Sequence, residues 1–273
     1  MRPIPVSASI LGLMTLLLPL GLQAESLTPV CENLTPQQCL EQAKGSGKPA
    51  ESNLPVFRHV CASGNQEACT LAGWTLWNHP GDEKARKEAM AFFQQACDSN
   101  YGPGCTQWGL KLEELNKVQD GKKTVSGLFE RACQLNDLLG CINRGMAFAM
   151  GTGGSDKKPY LASSFYLQAC QGGEPTGCSL LGSVYDQGVG VEEDPVQANA
   201  YFLMACEGGD FSGCGLYGWN WTQGRGIEKN NTKGMRLLQV ACDNGDAWSC
   251  KKQRKADPLK RRGIRPPAFR RSP

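Results

Sequence analysis

Fourteen cysteines fall into seven pairs at positions 31/39, 61/69, 97/105, 133/141, 170/178, 206/214 and 242/250, and the members of every pair stand eight apart. First members recur at intervals of 30, 36, 36, 37, 36 and 36 residues. This register constrains the fold more than any local motif does. The chain is an array of short units, and a unit of that size buries an apolar face only by stacking on its neighbours.

Other residues keep the same register. Alanine precedes the first cysteine at Ala96, Ala132, Ala169, Ala205 and Ala241. Three residues after it stand Gly64, Asn100, Asn136, Gly173, Gly209 and Gly245, residue types that accept the left-handed conformation closing a helix. The next position carries N-cap types at Thr35, Asn65, Asp137, Asp210 and Asp246. Gly73, Gly109, Gly145, Gly182 and Gly218 lie four residues after the second cysteine, where a missing side chain lets a neighbouring backbone come close. Apolar residues in "AYFLMAC" recur at helical spacing, without the two-residue alternation of a strand. Each unit therefore reads as helix A ("CSLLGSVYDQG"), a loop ("GVGVEEDP"), helix B ("VQANAYFLMAC") and a tight turn. The expected fold is an all-α solenoid over residues 25–250, with a short N-terminal capping unit at 31–60.

This geometry accounts for the cysteine spacing. One cysteine ends helix B and the other opens the next helix A, so the turn brings them face to face. Tetrahedral zinc sites use closer cysteines and usually a second pair or histidines, and the chain holds just two histidines, His59 and His79. Redox pairs are normally two residues apart. The expected linkages are disulfides Cys31–Cys39, Cys61–Cys69, Cys97–Cys105, Cys133–Cys141, Cys170–Cys178, Cys206–Cys214 and Cys242–Cys250. Each closes a short loop, contributing about 2–3 kcal/mol in the chain-entropy treatment.

Paired thiols imply an oxidising compartment, and the N-terminus agrees. Arg2 precedes an apolar run from Ile10 to Leu22 that ends at the small residue Ala24. We read residues 1–24 as a cleaved signal peptide, too short for a confident membrane span, and expect a periplasmic or secreted protein. Residues 25–250 carry 18 Lys/Arg against 25 Asp/Glu, whereas residues 251–273 carry ten against Asp257 alone. The basic extension has too few apolar residues to pack and is expected to be disordered, free to contact an anionic envelope surface or the acidic body. Its one aromatic residue, Phe269, makes no stacking series, so nucleic acid is not an expected partner.

The pattern "AC…G(D/N)…GC…G", with G-x-G loops at Gly151/Gly153, Gly188/Gly190 and Gly224/Gly226, resembles the Sel-1-like repeat family, relatives of tetratricopeptide repeats. The resemblance covers about Cys31 to Cys250 and is to the cysteine-rich, secreted, Hcp-type branch. It implies a right-handed α/α superhelix with one disulfide per repeat, serving as a protein-interaction scaffold. Some members of that branch carry β-lactamase or penicillin-binding labels, which supply the rival reading: β-lactam hydrolysis or binding of cell-wall fragments. Departures from the pattern are Leu34 in the shortened first unit and the loops "NHPGDEKARK" and "NKVQDGKKTV", which lack G-x-G.

Residues suited to catalysis are sparse. S-x-x-K occurs at Ser155–Lys158, in a loop, and at Ser249–Lys252, overlapping a bridged cysteine, and no S-D-N or K-T-G follows. "GTGGSDKK" lacks the order of a phosphate loop. We assign no catalytic residue, no metal ligand and no cofactor. Helix A instead offers a binding face at positions 1, 5 and 8 after its cysteine, the face expected to line the concave groove, where residue types vary from unit to unit. Trp74, Trp77, Leu110, Met146, Ser183 and Trp219 are the candidate contacts for a protein or peptide, with the tryptophans as anchors. The alternative for the tryptophans is packing between adjacent units. The expected state is a monomer.

Overall fold

A computed structural model describes residues 31, 33–79, 82–117, 119–120 and 123–256. The expected signal peptide (1–24) and most of the expected basic extension (257–273) lie outside the described residues.

Thirteen helices follow one another among the described residues. They are α1 (Pro36–Gly45), α2 (Ala50–Ala62), α3 (Gln66–Trp77), α4 (Glu83–Asp98), α5 (Gly102–Glu114), α6 (Val125–Gln134) and α7 (Leu138–Met150). Then come α8 (Pro159–Gln171), α9 (Pro175–Gln187), α10 (Pro195–Glu207), α11 (Phe211–Gln223), α12 (Asn231–Asp243) and α13 (Ala247–Ala256). Odd numbers are A helices and even numbers B helices, and each packs on the one before and the one after it in sequence. This is the all-α solenoid that the register implies. Where the third unit lacks G-x-G, a two-residue antiparallel pair, β1 (Gln119–Asp120) with β2 (Lys123–Thr124), joins α5 to α6.

Local sequence sets each helix end. Prolines occupy the first turn of α5, α8, α9 and α10, where the missing N–H costs nothing and the fixed φ suits a helix. Thr35 and Gln38 form a reciprocal capping box on α1, while Asn65, Asp210 and Asn230 each accept a backbone N–H at the start of α3, α11 and α12. Between B and the following A, the chain turns through a left-handed residue: Gly64, Asn100, Asn136, Gly173, Gly209 and Gly245 all have positive φ. The next residue then donates its N–H to the carbonyl of the residue before the first cysteine, as in Asp137 to Ala132 and Glu174 to Ala169, both 3.0 Å. The shortened first unit makes its left-handed turn at Asn33, one residue before Leu34.

That turn seats the cysteines. All seven expected pairs are bridged, with Cα–Cα separations of 4.4–5.2 Å. The A helices start about one turn before their cysteine, so, Cys31 apart, both half-cystines sit inside helices. Beside four of the seven bridges the alanine methyls of Ala96, Ala132, Ala169 and Ala205 lie where a Cβ at Gly104, Gly140, Gly177 or Gly213 would be. The small pair lets the helices meet closely at the staple.

One turn further along, the glycine row does something other than the expected admission of a backbone. A Cβ at Gly73, Gly109, Gly145 or Gly182 would stand 2.5–2.7 Å from the ring of Phe93, Phe129, Tyr166 or Phe202. These rings lie four residues before the first cysteine of helix B and are almost fully buried. At Gly218 the gap is filled instead by the Leu237 Cβ and by α12 backbone at Gly234 and Leu238. The solenoid core is thus a ladder of aromatic knobs from B set into glycine notches on A.

Polar links tie successive units. Arg225, at the centre of the last G-x-G, donates to the Asp186 carboxylate (2.9 Å) and to Glu193 (3.0 Å) of the previous unit. Buried Asn220 donates to Asp186 (3.2 Å) and to Asn199 (3.0 Å), whose amide reaches the Arg225 carbonyl (2.8 Å). At the C-terminus, residues 251–256 belong to α13, with Gln253 buried. The basic extension therefore begins after Ala256 rather than at Lys251, because α13 continues past its bridge to cover α12.

Candidate functional site

Successive A helices touch one another directly, α3 with α5, α5 with α7, α9 with α11 and α11 with α13, whereas no two successive B helices do so to a similar extent among the described residues. The A layer is the more tightly curved one. Its solvent-facing side, turned away from the core, is the candidate surface.

Helical geometry sorts the positions on that face. A step of about 100° per residue puts positions 3, 4 and 7 after the cysteine on the core side. Positions 1 and 8 fall about 90° away, on the flank facing the neighbouring A helix, and positions −2, 5 and 9 fall nearly opposite the core. Position 1 is covered from the third unit to the sixth. Thr106, Ile142 and Ser179 are buried, Thr106 donates its hydroxyl to Asp137 of the next unit, and a Cβ at Gly215 would strike Ser249. Desolvation by this seam raises the Asp137 pKa above the ordinary carboxylate value, against the lowering effect of the Thr106 hydrogen bond.

Trp77 shares that fate and departs from the expected exposed anchor. It is 6% exposed, its indole Nε1 donates to the Glu114 carboxylate of the next unit at 3.1 Å, and Lys111 lies 5.0 Å from the ring centroid. It packs between units, whereas Glu113 at the same position of the next unit is exposed.

Position 5 is where the open surface runs. Trp74 is 49% exposed, while Leu110, Met146, Ser183 and Trp219 are half-buried. The same stripe includes three large apolar residues that the 1-5-8 grouping missed: Leu139 and Trp248 at position −2, and Met150 at position 9, exposed by 48%, 37% and 60%. A full helical wheel centred opposite the cysteine would have found them. At the C-terminal end Trp219 and Trp248 meet edge-on, with ring centroids 6.2 Å apart. The Lys252 ammonium stands 4.1 Å from one ring and 4.9 Å from the other, a cation held against two π faces.

The serine–lysine motifs are engaged elsewhere. Ser155 Oγ accepts from the Arg144 guanidinium at 2.6 Å, and Lys158 pairs with Asp156 at 3.6 Å. Ser249 is fully buried and donates to Asp246, while its lysine is the one lodged against the tryptophans. His59 and His79 are exposed, and no cluster of three potential metal ligands occurs among the described residues. No described helix is long and apolar enough to cross a membrane.

The family model of the Sel1 repeat matches residues 66–101, 138–174, 175–210 and 215–246. The chain belongs to the Sel1 repeat family. The matched Sel1 segments follow the A–B register built above, and the unmatched stretch between 101 and 138 contains the aberrant β1–β2 connection. Among solved structures, a Sel1 repeat protein from Oxalobacter formigenes is 22% identical, with a TM-score of 0.70 over 83% of this chain and 89% of its own. The protective antigen c5321 of uropathogenic Escherichia coli, described as displaying an SLR fold, is 22% identical with a TM-score of 0.64, covering 78% of this chain and 44% of the antigen. Cysteine rich protein B of Helicobacter pylori is 26% identical over 48% of this chain and 99% of its own, with a TM-score of 0.38. No curated protein matches the sequence. The protein is thus a disulfide-stapled Sel1 solenoid, an architecture of the protein-interaction type.

Proposed function

We propose that this Sel1 protein is exported and binds a protein or peptide partner along its concave side, on the solvent-facing stripe of its A helices. The observation that carries the reading is the placement of large apolar side chains there. Trp74, Leu139, Met150 and Trp248 are each more than a third exposed, on the layer where successive helices touch. Exposed aromatic and methionine side chains of this kind are typical binding anchors. The Trp219–Trp248–Lys252 cluster adds a cation to an aromatic platform, which suits an acidic or aromatic side chain of the partner. Seven disulfides support the oxidising, extracytoplasmic destination. Affinity capture from an envelope extract tests the proposal, using oxidised wild-type protein beside Trp74→Ala and Trp219→Ala/Trp248→Ala variants of unchanged circular dichroism. A specific partner retained by the wild type should be lost, with affinity reduced about tenfold or more per anchor. Equal capture by all three proteins would refute the stripe as the binding face.

A further inference from the structure

The G-x-G loops have a structural task that two units lack. Gly153 accepts the Ser126 N–H at the start of α6 (2.9 Å). Gly190 and Gly226 press so closely on the first residues of α8 and α10 that a Cβ would meet Pro159–Tyr160 or Pro195 backbone. In each case the loop of one unit seals the N-terminal end of helix B in the unit before it. The third unit replaces G-x-G with the β1–β2 connection, and the start of α4 is left with an open cleft of about 410 Å³ between α3, α4 and α5.

Met90 and Leu115 line the interior of this cleft, backed by the almost fully buried Trp77 and Leu112, and Arg86 and Lys117 stand at its rim, the Arg86 guanidinium 5.8 Å from the Trp77 ring centroid. Two further rim charges cancel, since Lys87 pairs with Glu83 at 2.9 Å. Behind the indole, Glu114 is held by Lys111 (3.0 Å) and by Trp77 itself. The charge left over is positive. An apolar interior of this volume with convergent cations matches the anatomy of a small-ligand site.

We infer that this cleft binds a small amphipathic carboxylate, its apolar stem laid against Trp77, Met90 and Leu115 and its carboxylate at Arg86 and Lys117. The chemistry is shared by a medium-chain fatty acid and by the C-terminus of a peptide ending in an apolar residue. The cleft lies at the loop end of the units, off the A-helix stripe, and does not depend on the proposed protein-binding face.

Calorimetric titration of oxidised full-length protein with decanoate, and with an acetylated pentapeptide ending in leucine, tests the inference. Decanol and the peptide amide serve as uncharged counterparts. At least one carboxylate should bind saturably at one site, shift the Trp77 indole N–H resonance, and outcompete its neutral analogue by about tenfold or more. Which of the two binds identifies the source. Charge reversal by Arg86→Glu/Lys117→Glu, at exposed side chains that leave the fold intact, should weaken binding by a similar factor, and Leu115→Trp should fill the cleft and abolish it. Absence of saturable binding by both carboxylates overturns the inference. So does equal binding of the neutral analogues, or indifference to the charge reversal.

Discussion

Gly109 leaves no room for a methyl group, because a Cβ there would stand 2.6 Å from the ring of Phe129. Gly109→Ala should therefore destabilise the protein by about 1–3 kcal/mol, the usual cost of overpacking a tight core, measured by urea unfolding of oxidised protein. An alanine at Gly127, whose Cβ would meet just the Thr124 hydroxyl at 3.0 Å, provides the milder control. The ring row has a second consequence at Tyr166, whose phenol pKa is pushed up to about 12 by burial. In the unfolded chain it ionises near pH 10. Its contribution is thus complete below pH 10 and is lost as the pH climbs through 12. The stability difference between wild type and Tyr166→Phe should be constant up to pH 10 and shift against the wild type above it. A difference that stays flat to pH 12 would contradict the burial argument. The glycine row was legible in the sequence because it repeats. The aromatic row was not read, since it lies on the other helix of each unit and its phase relative to the glycines is fixed by the turn between them.

At the level of helices, the bridges and the turns form one device. The left-handed residue, the N-cap after it and the alanine–glycine contact all place two helical half-cystines within bonding reach. Replacing Cys133 and Cys141 together by serine should cost about 2–3 kcal/mol, read as a lower urea midpoint, while helix content stays near that of the wild type. Complete loss of helicity would mean that the staple nucleates its unit instead of reinforcing it. Spacing alone specified these pairs, since a separation of eight residues across a tight turn admits no other partner. The surface of the A helices was harder to read. Positions 1, 5 and 8 share a sector of the wheel some 60° wide, and its edge is covered by the next A helix. Sequence periodicity locates a face relative to the core of its own unit and carries no information on what the neighbouring unit conceals. Trp77 was assigned to the open face for that reason, and Leu139, Met150 and Trp248 were passed over.

Across the whole molecule, burial is uneven. The most extensive apolar cluster joins α3 to α6, from Leu76 through Trp108 to Ala132, whereas the clusters farther along involve fewer fully buried side chains. In a solenoid each unit is held by its neighbours alone, so the ends should open first. Hydrogen exchange of the oxidised protein should show the slowest amides in α4 and α5 and early exchange in α1, α12 and α13. Uniform protection along the chain would indicate a single cooperative block. The repeat count and the solenoid class could be read directly from the cysteine register. The open cleft beside α4 could not, because it arises from what the third unit omits. A last consequence concerns the order in which the protein can be made. Every crosslink closes within its own hairpin, and none waits for a segment synthesised later. A chain threading outward through a narrow passage could thus be oxidised bond by bond in the sequence of its emergence. Each finished unit then offers a docking platform to the next, and no wrong partner need be within reach when a thiol arrives.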